Sequence, residues 1–403
     1  MTGPAATGDG GSGLLGVGLA AVPEGGRVDF DRLRDDRRRR LLEAMRATSL
    51  DALVLGRPAN IAFASGARQL WTSGARPFGP GCVVIAATGR VHLLSVWDEG
   101  VPPEIGHEDL YGLSWNPANL LRDLRAVEGL PTVGRVGTDG LSPGFAAFLG
   151  ALAPDAAVVD AGDALRQARQ VKSADEIACL CTAAAIAEAA LSEMVATIQP
   201  GVTERDLLAT YAETVARLGA PTPPTEAVAM VTPRQGPVTP RHLASSTPAA
   251  AGDLVVLNPG AMFAGYEAGL GRTWAVPGGR SGAGAGELAG RARRQLEALV
   301  AACTPGATGA AIVSAWREAG GTSSPLPLVH GLGLGAEGPV VSDGVGAGDQ
   351  LPAGSVVAVQ IFVAEEGTGG VLERETVLVA EGGGRVLTAF GRDPSLGGDQ
   401  PAR

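Results

Sequence analysis

The sequence predicts an α+β protein made of a smaller α/β domain over residues 29–170 and a larger domain over residues 171–395. Three observations lead to this prediction. Helix and strand patterns alternate through the first part, a helix-capping motif marks the boundary, and two blocks of paired strands occupy the second part. The Gly- and Ala-rich residues 1–28 and the final residues 396–403 are predicted to be flexible tails.

The smaller domain begins with a charged helix over Asp29–Thr48, followed by a buried strand over Asp51–Gly56. Two apolar runs, Gly81–Ala87 and Arg90–Val96, are separated by the dipeptide Thr88-Gly89, which is typical of a β-hairpin. The remaining elements are predicted as a helix near residues 116–126 and strands near 133–137 and 157–159. This order indicates an α/β unit.

The boundary to the larger domain lies at a capping box, in which the hydroxyl of Ser173 and the carboxylate of Glu176 satisfy free backbone N–H groups. A long helix is predicted to continue through Ala183–Ile198, and a second one starts at Thr203. Two further helices, near 285–303 and 308–319, precede a block of strands over Val356–Val379. The larger domain is therefore predicted to combine helices with paired strands.

Composition narrows the possible functions. A formal net charge of −10 disfavours nucleic acid as a partner. The four scattered cysteines are too few for a disulfide framework, and neither a signal peptide nor a membrane-spanning apolar stretch is recognised in the sequence. These features predict a cytoplasmic protein.

The segment Asp253–Val276 reads as two strands joined by a tight connection, and it contains Gly260, Gly265-Tyr266 and Arg272-Thr273. This pattern resembles the hairpin of the superfamily formed by creatinase, aminopeptidase P and prolidase. The resemblance implies a pita-bread fold for the larger domain and a creatinase-type fold for the smaller one. In the peptidases of this superfamily the hairpin carries two metal-binding aspartates, and their positions fall here on Asn258 and Gly269.

The resemblance extends to the other metal positions. His330 in His-Gly-Leu-Gly occupies the metal-histidine position, while Gln360 and Arg374 stand where the superfamily has glutamates. Hard divalent ions need anionic oxygen donors, and a permanent guanidinium cation repels them. The sequence therefore predicts that the chain has no metal site and needs no cofactor.

These substitutions favour the hypothesis of a metal-independent enzyme. Creatinase, which this chain resembles, hydrolyses a C–N bond without a metal ion. The resemblance therefore implies that this chain cleaves a C–N bond of a small amino-acid-like or dipeptide-like substrate, by hydrolysis or by elimination. The predicted catalytic residues are His242 as general acid/base, His330 as a donor to an oxyanion, and Glu337 as a partner of a histidine or an amine. The predicted substrate-binding residues are Asn258, Tyr266, Gln360, Glu373 and Arg374.

The sequence also fits two alternative functions. The chain is either this enzyme or a non-catalytic pita-bread binding module, or it is a metal-dependent Xaa-Pro peptidase whose ligand register is misread. Glu373 or Glu375 can face the pocket in place of Arg374, and Tyr266 also fits a core position. The resemblance further implies a homodimer.

Overall fold

The structure is a computed structural model, and it describes residues 28–67, 79–112, 116–220, 228–232, 238–279, 281 and 284–397. The tails predicted over 1–28 and 396–403 lie almost entirely outside these residues. The α+β architecture that the sequence predicts is present, with a sheet-and-helix unit followed by a larger unit of helices and antiparallel strands.

The first unit contains a six-stranded mixed sheet in the order β4-β3-β2-β1-β5-β6. Its strands are β1 (Ala52–Leu55), β2 (Cys82–Ile85), β3 (Val91–Leu94), β4 (Leu110–Tyr111), β5 (Arg135–Asp139) and β6 (Ala157–Asp160). Its helices are α1 (Phe30–Ala47), α2 (Pro58–Ser65), α3 (Pro117–Arg125), α4 (Pro143–Ala146), α5 (Leu149–Leu152) and α6 (Gly162–Arg169). Alternate residues of β1 enter two separate apolar clusters, so both faces of the sheet are covered.

The second unit is built from four helices and ten strands among the described residues. The helices are α7 (Ala174–Ala196), α8 (Glu204–Arg217), α9 (Ala285–Ala302) and α10 (Gly309–Glu318). The strands are β7 (Val228–Thr232), β8 (Leu254–Asn258), β9 (Gly260–Phe263), β10 (Tyr266–Gly269), β11 (Arg272–Ala275), β12 (Val329–Gly333), β13 (Gly335–Val341), β14 (Val356–Glu365), β15 (Gly369–Ala380) and β16 (Gly383–Val386).

These strands form a three-stranded sheet (β11-β8-β7), a β9-β10 hairpin and a five-stranded sheet (β13-β12-β14-β15-β16). A single bridge between Gly271 and Arg374 connects the region after β10 to β15. One apolar cluster packs α7 and α8 against β8 and β9, and another packs α9 and α10 against β12, β14 and β15. The strands are thus enclosed between two helix pairs.

Local sequence accounts for where the helices begin. Ser173 and Glu176 form the predicted capping box at the start of α7, and Thr203 with Asp206 forms a second one at the start of α8. The turn between β9 and β10 is made by Ala264 and Gly265, both with positive φ, at 50° and 83°. This two-residue turn sets the pairing of Tyr266 with Phe263 and Gly269 with Gly260.

Helix α7 is long and apolar enough to span a membrane, by length and composition alone. In this fold it is an interior helix that packs against α8 and the β9-β10 hairpin. Its first turn carries two buried carboxylates, Asp175 and Glu176, that bind arginines of α1. Its apolar character therefore follows from its central place in the core.

Candidate functional site

The candidate site forms where the ends of β8 and β10 meet β12, β14 and β15. Arg374 on β15 is at its centre, and its Nη1 donates a 3.3 Å hydrogen bond to Oδ1 of Asn258 at the end of β8. Gln360 on β14 is the cross-strand partner of Arg374. His330 on β12 lies close enough to Arg374 for the guanidinium charge to lower the pKa of the imidazole. The structure thus brings together four of the predicted site residues.

Backbone hydrogen bonds to the segment between β10 and β11 hold Arg374 in place. Its N–H donates to the carbonyl oxygen of Gly271 at 3.1 Å, and the N–H of Gly271 donates back to the Arg374 carbonyl at 3.0 Å. Arg272 adds a third bond, from Nη1 to the same carbonyl, at 3.0 Å. The side chain of Arg374 therefore leaves β15 from a well-fixed Cα.

Burial dominates the electrostatics of this group. Burial lowers the pKa of His330 to about 3, and the nearby Arg374 cation acts in the same direction, so the imidazole is neutral at physiological pH. Burial also lowers the pKa of Arg374, whereas the charge of Glu267 opposes that shift. The amide nitrogen of Gln360 donates to the carbonyl oxygen of Pro327 at 3.0 Å, so this amide is already engaged within the protein.

Glu267 is a site residue that the sequence analysis missed. It lies on β10, two positions before Gly269, and residues two apart on a strand share a face. Its neighbours Tyr266 and Ala268 enter the apolar cluster on the other face of the strand. The alternation of buried apolar residues around Glu267 is the sequence signal that could have identified it.

The structure corrects the prediction for Glu373. Glu373 and Glu375 lie on the face of β15 opposite Arg374, as strand alternation requires. Glu373 accepts a 2.9 Å hydrogen bond from Nε of Arg392, and Glu375 accepts one of 2.7 Å from Nη2 of Arg272. Both carboxylates belong to a buried ion cluster. The question of register left open by the sequence is therefore answered: Arg374 occupies the site.

The prediction for Glu337 also needs correction. Its two carboxylate oxygens accept hydrogen bonds from Arg169 at 2.6 Å and from Lys172 at 2.9 Å. Burial raises the pKa of Glu337, but the two cations outweigh burial and the net shift is downward. This carboxylate connects β13 to the segment that joins the two units. Both of its carboxylate oxygens are engaged by Arg169 and Lys172, so the predicted pairing of Glu337 with a histidine or a substrate amine is not what the structure places there.

Tyr266 occupies an interdomain contact and lies outside the site. Its side chain is 1% exposed, and its hydroxyl donates to Oε1 of Glu176 at 2.6 Å while accepting from Nε of Arg37 at 2.8 Å. Glu176 also binds Arg40 of α1. We therefore correct the predicted substrate contact of Tyr266: its hydroxyl is fully used in joining α1 to the second unit.

His242 lies on an exposed loop, and no contact joins it to the Arg374 group in the described part of the chain. The loop is anchored beside it. Arg241 donates to Glu204 at 3.1 Å, and Glu204 is fully buried at the start of α8. The structure thus places His242 apart from the other predicted catalytic residues, and its proposed acid/base role stays a prediction.

Comparison with known proteins identifies the two units. Residues 178–381 match the metallopeptidase family M24, and residues 37–171 match the creatinase/prolidase N-terminal domain. The M24 match spans more than half of the chain. The chain belongs to metallopeptidase family M24. The resemblance to the creatinase, aminopeptidase P and prolidase superfamily is thereby confirmed, as is the fold of a creatinase-type domain followed by a pita-bread domain.

Individual M24 relatives agree with this assignment. The chain is 26% identical to the Xaa-Pro dipeptidase of Pyrococcus horikoshii over 373 residues, which covers 90% of this chain and 99% of that protein. The solved prolidase of P. horikoshii OT3 matches with a TM-score of 0.73 at 23% identity, over 89% of this chain and 99% of the other. The Xaa-Pro dipeptidase of Bacillus anthracis matches with a TM-score of 0.73 at 20% identity, over 89% and 99%.

These relatives contradict the main functional prediction. A metal-independent C–N hydrolase or lyase was expected, but the family is a metallopeptidase family and the relatives are named as Xaa-Pro dipeptidases and prolidases. The comparisons indicate a hydrolase of the peptidase class, and they favour the metal-dependent Xaa-Pro peptidase alternative over the metal-independent hypothesis.

The donor set of this chain does not fit the metal ions that the family implies. Within the described ranges no three His, Cys, Asp or Glu side chains are grouped so that they can hold a metal ion. The five corresponding positions hold two amides, one neutral imidazole, one glycine and the guanidinium of Arg374. Glu373 and Glu375, which a shift in register would supply, are bonded to arginines on the opposite face.

The backbone around Gly269 gives a steric reason why this position does not accept the aspartate that a metal site would need. A Cβ at this position would lie 2.7 Å from the carbonyl oxygen of Pro259 and 2.9 Å from Cα of Gly260, both backbone atoms. The hydroxyl of Thr376 also donates to the Gly269 carbonyl at 2.8 Å, which fixes this part of the hairpin. The space that an aspartate side chain would need here is therefore filled by the neighbouring strand.

We predict that Gly269→Asp lowers the free energy of unfolding by about 1–3 kcal/mol, the usual cost of overpacking. Urea titration followed by circular dichroism measures it. Asn258→Asp is the matched control, because its new carboxylate would face Arg374 and stability should be retained. Equal stability of Gly269→Asp and the wild-type protein would contradict the steric argument.

Proposed function

We propose that the group of side chains around Arg374 binds dipeptides of the Xaa-Pro class. The observation that carries the proposal is the match to a named Xaa-Pro dipeptidase over nearly the whole of both chains. The chemistry of the pocket supports it. Arg374 provides a cation that suits the carboxylate of a dipeptide, and Asn258 adds an amide for hydrogen bonding.

Isothermal titration calorimetry with Ala-Pro tests this proposal. We expect a dissociation constant below about 1 mM, which corresponds to roughly −4 kcal/mol. The reversed dipeptide Pro-Ala should bind at least about tenfold more weakly, a difference of about 1.4 kcal/mol. If neither dipeptide binds, or if both bind equally, Xaa-Pro recognition is the wrong function.

A second candidate function, binding without hydrolysis, is favoured by one observation. The carboxylates that a metallopeptidase needs are replaced by neutral or cationic groups at Asn258, Gly269, Gln360 and Arg374. In this case the protein binds Ala-Pro and does not hydrolyse it. Chromatography of Ala-Pro incubated with the protein and MnCl₂ should show no free alanine or proline above the buffer blank. Release that depends on Mn²⁺ would instead establish an Xaa-Pro dipeptidase.

A further inference from the structure

Two polar atoms of the site are buried without a partner. Nε of Arg374 and Nδ1 of His330 make no hydrogen bond to any described residue. Leaving a buried polar group unsatisfied costs about 1–3 kcal/mol, so folded proteins rarely tolerate it without an occupant. Both atoms belong to the same group of side chains. This pairing indicates a place where an external hydrogen-bonding group is expected.

The geometry of Arg374 selects the kind of group. Asn258 already accepts from Nη1, which orients the guanidinium plane and leaves the edge formed by Nε and Nη2. That edge donates two parallel N–H bonds, and a carboxylate matches it in bidentate geometry. Arg374 is half-buried as a residue, while its Nε is buried.

The charges around Arg374 also favour a carboxylate as the bound group. Within the described part of the chain no carboxylate lies within ion-pair distance of Arg374. The nearby acidic residues Glu373 and Glu375 are bonded to Arg272 and Arg392. Glu267 is close enough to act on Arg374 electrostatically, and its charge would repel a doubly charged anion. The arrangement therefore suits a monoanion.

We propose that Arg374, oriented by Asn258 and assisted by Nδ1 of His330, binds the carboxylate of the dipeptide at the position where the family's metal ions are expected. The inference rests on the proposed dipeptide function and deepens it. In this protein the pocket recognises a negative charge on the ligand and does not collect divalent cations.

Calorimetry with two ligands tests the proposal. Ala-Pro and Ala-prolinamide differ only in the C-terminal group, which is a carboxylate in the first and a neutral amide in the second. We expect wild-type protein to bind Ala-Pro at least about tenfold more tightly than the amide, because a bidentate charged pair is lost with the amide. In Arg374→Met this preference should fall to less than about twofold.

The control variant is Arg317→Met. It removes an exposed arginine on α10 that forms an ion pair with Asp343. It should keep the wild-type preference for Ala-Pro. Arg374→Met should fold, because the hydrogen bonds that fix residue 374 to Gly271 come from its backbone. Near-ultraviolet circular dichroism checks this, and the comparison of the two ligands on wild-type protein does not depend on any variant.

Each outcome decides something. Equal binding of Ala-Pro and Ala-prolinamide to wild-type protein would overturn the carboxylate site while leaving the dipeptide function standing. A preference retained in Arg374→Met would overturn the role of Arg374. Binding of neither ligand would overturn both proposals. Equilibrium dialysis against MnCl₂ should find no stoichiometric Mn²⁺, and one or more bound ions per chain would contradict the inference.

Discussion

Replacing Arg272 with methionine is expected to lower the free energy of unfolding by about 3–5 kcal/mol. The side chain is 2% exposed and makes a 2.7 Å ion pair with Glu375, while Glu373 lies 3.7 Å away. It also donates to the carbonyl oxygens of Phe390 and Arg374. Without it, two buried carboxylates lose their fully buried cation, and breaking a buried pair costs more than the pair itself stabilises.

Chemical denaturation at neutral pH measures this loss. Arg392→Met is the matched control, since Arg392 binds the same two glutamates but is 27% exposed in its side chain. Water can replace part of the interaction that Arg392 makes, so Arg392→Met should lower the free energy of unfolding by less than half as much as Arg272→Met. A change below about 1 kcal/mol for Arg272→Met would show that the cluster is not a structural centre of the domain.

The second large effect concerns acid stability. In the folded protein the pKa of His330 is lowered from 6.5 to about 3 by burial and by Arg374. Between these two pH values the unfolded chain binds a proton that the folded chain does not. Stability is therefore complete above about pH 6.5 and falls as the pH drops toward 3, by at most about 1.4 kcal/mol per pH unit.

His330→Gln removes this dependence, because glutamine does not titrate. We expect the stability of the variant to fall less steeply than that of wild-type protein between pH 6.5 and pH 3. Urea midpoints across this range measure the difference in slope. The control His242→Gln changes an exposed loop residue and should follow the wild-type curve. Parallel curves for wild type and His330→Gln would contradict a buried, neutral His330.

Local sequence predicted the elements well, because their signals are local. The capping boxes at Ser173 and Thr203 act within four residues. The predicted hairpin of β2 and β3 is present, but its loop spans residues 86–89 and not Thr88-Gly89 alone, because the N–H of Ile85 donates to the carbonyl oxygen of Arg90. The larger motifs around Asn258 and His330 identified the family because several of them occur in order. The same motifs located the group that surrounds Arg374.

The assignments that needed correction depend on distant partners. Tyr266 binds Arg37 across 229 residues of sequence, and Glu337 binds Arg169 across 168. No periodic pattern in the sequence around Tyr266 or Glu337 predicts such a distant partner. The choice between Glu373 and Arg374 was equally undetermined, because adjacent strand residues always face opposite sides and the cations that hold Glu373 come from other strands and loops.

The contact of Tyr266 with Glu176 and Arg37 has a mechanical consequence for the pocket. Strand β10 presents Tyr266 to α1 and α7 on one side and Glu267 toward the Arg374 group on the other. Through Tyr266, the smaller domain therefore fixes β10 from the face opposite Glu267. A dipeptide bound at the proposed site would meet a strand that is already fixed, and such preorganisation favours affinity.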